Sequence, residues 1–134
     1  MSLPVGRQVV SFLVSEVPDI PYFRNQFMVN TPQRPIGIFD SGIGGLTVAH
    51  AISRLMPNEK LIYFGDTAHL PYGEKSPQAI RAYSSRIAEF LLEKNCKAVI
   101  IACNTASASA FNVVKKQVGS KAPVFNVIIR WCAT

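Results

Sequence analysis

Hydrophobic residues from position 35 onward recur in short continuous runs that alternate with longer amphipathic segments. The runs predict four buried strands, at residues 36–39, 61–64, 98–102 and 124–128. The amphipathic segments predict three helices, at residues 46–56, 77–95 and 106–118. Apolar strands separated by helices are typical of a parallel sheet that is covered on both faces. The pattern therefore predicts an α/β fold.

The first 34 residues lack this alternation. They contain four prolines and an apolar patch at residues 9–14 without a clear period. We interpret residues 1–34 as an N-terminal extension that either adds a short strand or is disordered, and residues 35–128 as the folded lobe.

Composition narrows the class of protein. With 49% hydrophobic and 16% charged residues in 134, the chain is too apolar for a disordered protein. Its formal charge of +6 comes from scattered basic residues, of which only Lys115 and Lys116 are adjacent. A nucleic-acid partner is therefore not expected, and the surface suits an anionic metabolite. No apolar run approaches the roughly 20 residues of a membrane helix, so no membrane partner is expected either.

The cysteines and histidines do not form a recognisable metal site. Cys96, Cys103 and Cys132 have no C-x-x-C spacing, and His50 and His69 are not at metal-ligand spacing. We therefore expect no metal and no disulfide. An odd number of free thiols favours a reducing compartment, which we take to be the cytoplasm.

Reactive side chains follow three of the predicted strands. Because the carboxyl ends of parallel strands share one edge of a sheet, we expect Asp40, Asp66 and Cys103 to gather there. Cys103 lies directly before a predicted helix, whose N-terminal N–H groups and dipole favour a thiolate that can act as a base. Cys96 has no such setting and is predicted to be a small core residue.

Asp40 leads into a glycine-rich turn at residues 41–45. It either serves a ligand as a proton acceptor or caps the next helix. Gly42 and Gly44 also fit the start of a dinucleotide-binding G-x-G-x-x-G motif. Thr47 stands at the third glycine position, and the Asp40 carboxylate would repel a pyrophosphate. A dinucleotide site is therefore disfavoured.

The loop at residues 65–73 is rich in polar and turn-forming residues, which suits contact with a substrate. Tyr72 and Gly73 could offer backbone N–H groups and an aromatic wall. His69, as a lone histidine, is more often structural than catalytic.

Residues 39–47, 65–73 and 102–108 resemble, in order and at suitable spacing, three N-terminal motifs of glutamate racemases in the Asp/Glu racemase family. The resemblance covers about residues 35–128 and implies a three-layer, Rossmann-like lobe of that type. Aspartate and hydantoin racemases are the nearest alternatives, but their N-terminal turns differ from residues 40–45.

The resemblance implies cofactor-independent interconversion of L- and D-glutamate, which supplies D-glutamate for peptidoglycan in the bacterial cytoplasm. Two cysteines on opposite sides of the substrate Cα would act in turn as thiolate and thiol. Cys103 would be one of them, and Asp40 would assist proton transfer. The residues implied to bind glutamate are Ser41, Tyr72, Gly73, Asn104 and Thr105.

The chain also departs from the family pattern. No second lobe with a Cys-Thr-His motif follows, and Cys132 is succeeded by Ala133 and Thr134. We interpret residues 129–134 as a tail outside the family pattern. The expectation is one half-site that is inactive alone. The alternative is a non-catalytic lobe that binds an acidic metabolite or another protein, including a homodimer partner, and concentration-dependent size in solution would distinguish the two.

Overall fold

The computed structural model describes the backbone of residues 8–12 and the whole of residues 34–127. Expectations for Ile128 and for the tail with Cys132 lie outside this part of the chain. The sheet has five strands in the order β1-β3-β2-β4-β5. The strands are β1 (Gln8–Phe12), β2 (Ile36–Asp40), β3 (Leu61–Gly65), β4 (Ala98–Ile101) and β5 (Val124–Asn126).

The predicted βα alternation is confirmed. Strands β2 to β5 are parallel, whereas β1 pairs antiparallel with β3 at the sheet edge. Residues 8–12 of the extension thus form an added strand. The helices that connect the parallel strands are α1 (Leu46–Leu55), α2 (Pro77–Glu93) and α3 (Asn104–Val118). Two short 3₁₀ turns, Thr67–His69 and Tyr72–Glu74, lie between β3 and α2.

Local sequence signals explain the helix boundaries. The Ser76 side chain accepts a hydrogen bond from the Ala79 N–H at 3.1 Å, and Pro77 occupies the first turn, where it lacks only an N–H that would have no helical partner. The start of α3 differs from the prediction. The predicted helix begins at residue 106, whereas Asn104 and Thr105 already form the first two positions of α3, with Cys103 as its N-cap.

Strand periodicity assigns each apolar side chain to one of two layers. On one face, α1 packs against the strand residues Ile36, Ile38, Leu61, Tyr63, Ala98 and Ile100. On the other face, α2 and α3 pack against Phe39, Phe64, Val99 and Ile101. Because successive strand residues point to opposite faces, neighbours in sequence lie in different cores. None of the described helices is long and apolar enough to cross a membrane.

The carboxyl edge of the sheet is closely packed at two glycines. A Cβ on Gly65 would lie 2.4 Å from the carbonyl oxygen of Gly42. A Cβ on Gly45 would lie 2.7 Å from the Asp40 Cβ and 2.9 Å from the Ala102 Cβ. These contacts join the turn after β2 to the ends of β3 and β4, so only glycine fits without displacement of backbone.

Cys96 is a core residue, as predicted. It is fully buried, and its Sγ lies 3.0 Å from where a Cβ on Gly37 would be. Burial raises the pKa of the Cys96 thiol to about 12, although the nearby Arg34 cation opposes the shift. The thiol therefore stays protonated at neutral pH and acts as a small apolar group.

Replacement of Gly65 by alanine should destabilise the full chain by about 1–3 kcal/mol, because the new methyl group overlaps the Gly42 carbonyl. The measurement is urea denaturation followed by circular dichroism. Gly73→Ala is the matched control, since a Cβ there meets no atom within 4 Å. Equal stability of the two variants would contradict the packing described here.

The buried Cys96 thiol should make stability fall at alkaline pH. Its folded pKa lies above the ordinary value of 9.0, so the stabilising contribution is complete below pH 9 and is lost as pH rises toward 12. The loss should be about 1 kcal/mol per pH unit. In Cys96→Ala, urea denaturation at pH 8 and pH 10.5 should show a correspondingly smaller loss than in the wild-type chain. An equal loss of stability in the variant and the wild-type chain would show that Cys96 does not cause the alkaline loss.

Candidate active site

An open cleft of about 600 Å³ lies where β2 and β4 end. The turn after β2 forms one wall and the start of α3 forms the other. Its lining comprises Asp40, Ser41, Gly42, Ile43, Gly44, Thr47, Val48, Leu70, Ala102, Cys103, Asn104, Thr105 and Val127. A cleft of this size is within the range of small-molecule sites.

Asp40 is buried and is held through one of its two oxygens. It continues the row of Ile36 and Ile38, which places its side chain on the α1 face of the sheet. Its Oδ2 accepts hydrogen bonds from the N–H groups of Gly45 at 2.8 Å and Gly42 at 3.3 Å. Among the described residues, Oδ1 has only the Ser41 hydroxyl, at 3.5 Å. The carboxylate is therefore fixed while one oxygen stays available to a ligand.

Tyr63, predicted only as a strand residue, lies behind the cleft and contacts Asp40. Its hydroxyl lies 2.9 Å from the Gly42 carbonyl oxygen and 3.3 Å from Asp40 Oδ2. Burial first, and the Asp40 charge second, raise the pKa of the Tyr63 hydroxyl well above its ordinary value. It therefore remains a proton donor at neutral pH. The available signal was a tyrosine within the apolar run 61–64, because a buried hydroxyl needs a polar partner.

Cys103 is the N-cap of α3. Its Sγ accepts a hydrogen bond from the Ala106 N–H at 3.4 Å, and the side chain is largely buried while lining the cleft. Within the described residues, the N–H groups of Asn104 and Thr105 have no acceptor, as expected at the first positions of a helix. The sulfur therefore lies beside the N–H groups of the first turn of α3.

The structure brings five of the predicted site residues into one cleft. Asp40 and Ser41 come from the turn after β2, and Cys103, Asn104 and Thr105 come from the end of β4 and the start of α3. Because α3 begins at Asn104, its first two N–H groups point to the same edge as the Cys103 sulfur.

Tyr72 and Gly73 do not line this cleft. The Tyr72 ring is buried, and its hydroxyl donates to Asp66 Oδ2 at 2.6 Å. The expectation of an aromatic wall was therefore wrong, because a buried ring offers no surface to a ligand. Gly73 is next to open space. What these two positions can still present to a substrate is backbone.

Asp66 was expected to lie with Asp40 and Cys103, but the structure places it elsewhere. Asp40 pairs in register with Gly65, so Asp66 lies one residue further and on the opposite face of the sheet. It is fully buried there, with the Tyr72 hydroxyl and His69 Nδ1 at 2.6 and 2.8 Å. His69 also stacks on Tyr83 with ring centroids 3.8 Å apart. These contacts agree with the structural role favoured for His69.

The same geometry disfavours a phosphate site. The Asp40 carboxylate occupies the N–H groups of Gly42 and Gly45, which a bound pyrophosphate would need. Across residues 34–127, no three metal-ligating side chains cluster. The cleft instead presents a thiol, one carboxylate oxygen and helix N–H groups, which is a set suited to proton transfer on an anionic ligand.

The cleft should make Cys103 the reactive thiol of the described lobe. In a Cys132→Ser background, iodoacetamide should modify Cys103 at least about tenfold faster than Cys96, because only Cys103 lines the cleft and burial keeps Cys96 protonated. Peptide mass spectrometry measures both rates. Unfolding in urea is the control, since it should equalise them. Comparable rates in the native chain would contradict this assignment.

Comparison with known proteins gives one consistent family. No protein-family model matches the chain. A glutamate racemase from Chlorobium phaeobacteroides is 55% identical over 73% of this chain and 36% of its own length. One from Symbiobacterium thermophilum is 55% identical over 66% of this chain and 32% of its own length.

A solved structure has the same fold over a similar share of this chain. Glutamate racemase from Francisella tularensis, in complex with D-glutamate, superposes with a TM-score of 0.69 at 47% identity, over 72% of this chain and 36% of that protein. The chain thus spans about a third of the length of the relatives it matches. Over about 70% of its own length, this chain is a homologue of the glutamate racemases.

Proposed function

We propose that this chain supplies one catalytic half-site of a glutamate racemase, in which Cys103 exchanges the Cα proton of glutamate on one face. The observation that carries the proposal is the cleft itself. It contains the Cys103 thiol, the open oxygen of Asp40 and the start of α3. The homologous Francisella enzyme was solved with D-glutamate, which supports an acidic amino acid as the ligand.

Removal of the Cα proton needs both a base and stabilisation of negative charge. The Cys103 thiolate takes the proton, and the electron pair of the C–H bond moves into the adjacent carboxylate of glutamate. The N–H groups of Asn104 and Thr105 are placed to hold that carboxylate at the positive end of α3. The Ser41 hydroxyl lines the opposite wall and is a further donor.

Asp40 is proposed to assist the transfer without direct attack on carbon. Asp40 lines the cleft and its Oδ1 has only a long contact to Ser41, so its negative charge can attract the ammonium group of the substrate while one oxygen stays able to accept a proton. Oδ2 stays bound to the turn, so the carboxylate does not need to reorganise during the reaction. Proton transfer among a thiol, a carboxylate and an amino acid requires no cofactor.

The remaining parts of the proposal concern the far end of the substrate and its biological use. The backbone of Tyr72 and Gly73 is proposed to bind the side-chain carboxylate of glutamate. Peptidoglycan synthesis in the bacterial cytoplasm is the proposed use of D-glutamate. Both rest on the resemblance of residues 65–73 and on homology to bacterial racemases.

Inversion needs a second acid on the opposite face of Cα. Cys103 is the one thiol among the described residues that lines the cleft. We therefore propose that this chain by itself exchanges the proton without inverting the stereocentre.

Exposed apolar side chains support a second candidate function, an interaction module. Ile43 is 73% exposed and Leu70 is 48% exposed, and both line the cleft. Such a rim suits another protein surface or a second copy of this chain. The exchange experiment separates the two functions, because docking alone requires no chemistry at Cys103.

Incubation with D- or L-glutamate in D₂O should replace the Cα proton of one enantiomer by deuterium without forming the other. Proton NMR follows the Cα signal, and chiral chromatography follows inversion. Cys103→Ala should abolish the exchange, and Asp40→Asn should slow it by at least about 10²-fold, in the range of general acid–base contributions. Exchange no faster than in Cys103→Ala would rule out a working half-site and leave the interaction module.

A further inference from the structure

The Tyr63 hydroxyl has one proton and two acceptors. It lies 2.9 Å from the Gly42 carbonyl oxygen and 3.3 Å from Asp40 Oδ2. Tyr63 stands on β3, while both acceptors belong to β2 and its turn. The hydroxyl thus connects β3 both to the Asp40 carboxylate and to the backbone of the turn after β2.

The two oxygens of Asp40 differ in their surroundings. Oδ2 has the Gly45 N–H at 2.8 Å, the Gly42 N–H at 3.3 Å and the Tyr63 hydroxyl. Oδ1 has, among the described residues, only a long contact of 3.5 Å to Ser41. A carboxylate oxygen already surrounded by donors is the poorer proton acceptor, because an added proton would displace one of them.

From this geometry we infer that Tyr63 is a positioning residue that directs proton transfer to Oδ1 of Asp40. It does so by holding Oδ2 and the Gly42 carbonyl together, which fixes the rotation of the carboxylate. Tyr63 is not one of the residues that line the cleft. This inference rests on the proposed function, since it names the residue that orients its assisting carboxylate.

The packing around Tyr63 supports a specific role for the hydroxyl. The ring is buried in the layer between the sheet and α1, and its oxygen lies 3.0 Å from where a Cβ on Gly45 would be. The site therefore leaves room for a tyrosine hydroxyl only because position 45 is glycine. Phenylalanine keeps the ring and removes only the oxygen, so Tyr63→Phe isolates the effect of the hydroxyl.

The first test is amide hydrogen exchange by NMR on the full chain. In Tyr63→Phe, the amides of Gly42 and Gly45 should exchange about tenfold faster than in the wild-type chain, as loss of one local hydrogen bond implies. Amides in the central strands, such as Ile38 and Ile100, should change much less. Tyr83→Phe is the matched control, because it removes a tyrosine hydroxyl from α2, and it should leave the turn unchanged.

The second test is the glutamate exchange reaction. Tyr63→Phe should lower the rate constant at saturating glutamate about tenfold and leave KM within about twofold, because Tyr63 orients a reacting group and does not bind substrate. Tyr83→Phe should leave this rate constant within about twofold of the wild-type value.

Each outcome decides a separate point. Unchanged protection of Gly45, or uniform acceleration of all core amides, would overturn the positioning role. So would a loosened turn with an unchanged rate constant. Absence of exchange in the wild-type chain would instead overturn the proposed function, and the amide measurement would still show whether Tyr63 fixes the Asp40 turn.

Discussion

The hydrogen bonds that the turn after β2 donates to Asp40 Oδ2 fix the arrangement of the residues at the carboxyl edge of the sheet. A buried carboxylate is costly unless donors replace its water, and here the N–H groups of Gly42 and Gly45 do so. The same bonds set where α1 begins, since Gly45 is its N-cap. Close packing of Gly45 against Ala102 then links this turn to the end of β4, on which Cys103 follows. One carboxylate therefore positions both walls of the cleft.

The order of the strands and helices could be predicted from sequence because it depends on local signals. Apolar runs give the strands, and Ser76 with Pro77 marks the start of α2. Which acidic residue reaches the cleft depends on strand register instead. Asp40 and Asp66 both follow an apolar run in sequence. In the sheet Gly65 is the partner of Asp40, and this offset of one residue turns Asp66 into the opposite core. Register is a property of the assembled sheet.

The candidate site was predicted in part for a similar reason. Motif resemblance selected Asp40, Ser41 and Cys103, which the cleft brings together. It did not select Tyr63, whose role arises from a contact between two strands that are distant in sequence. It also did not anticipate that the Tyr72 ring is buried against Asp66. Composition and spacing do not encode such contacts, because they depend on which side chains the folded sheet places opposite each other.

Cys96 and Cys103 show how the fold gives one residue type two chemistries. Cys96 lies beneath Gly37 in the core, where burial raises the pKa of its thiol to about 12 and keeps it inert. Cys103 caps a helix at the edge of the same core and lines an open cleft. The two residues are seven positions apart, and β4 lies between them, so Cys96 precedes the amino end of the strand and Cys103 follows its carboxyl end. In a parallel sheet, that edge is where ligands bind.

A lobe with one such thiol has a defined stereochemical consequence. Once the Cα proton leaves, the substrate carbon is close to planar and can be reprotonated from either face. The Cys103 sulfur and the Asp40 Oδ1 are supplied by the same sheet edge, and no second thiol among residues 34–127 lines the cleft. In the proposed reaction, a proton returned by these two groups therefore reaches the face from which the first was taken, and configuration is retained. Inversion in that reaction would require an acid that reaches the other face of the carbon.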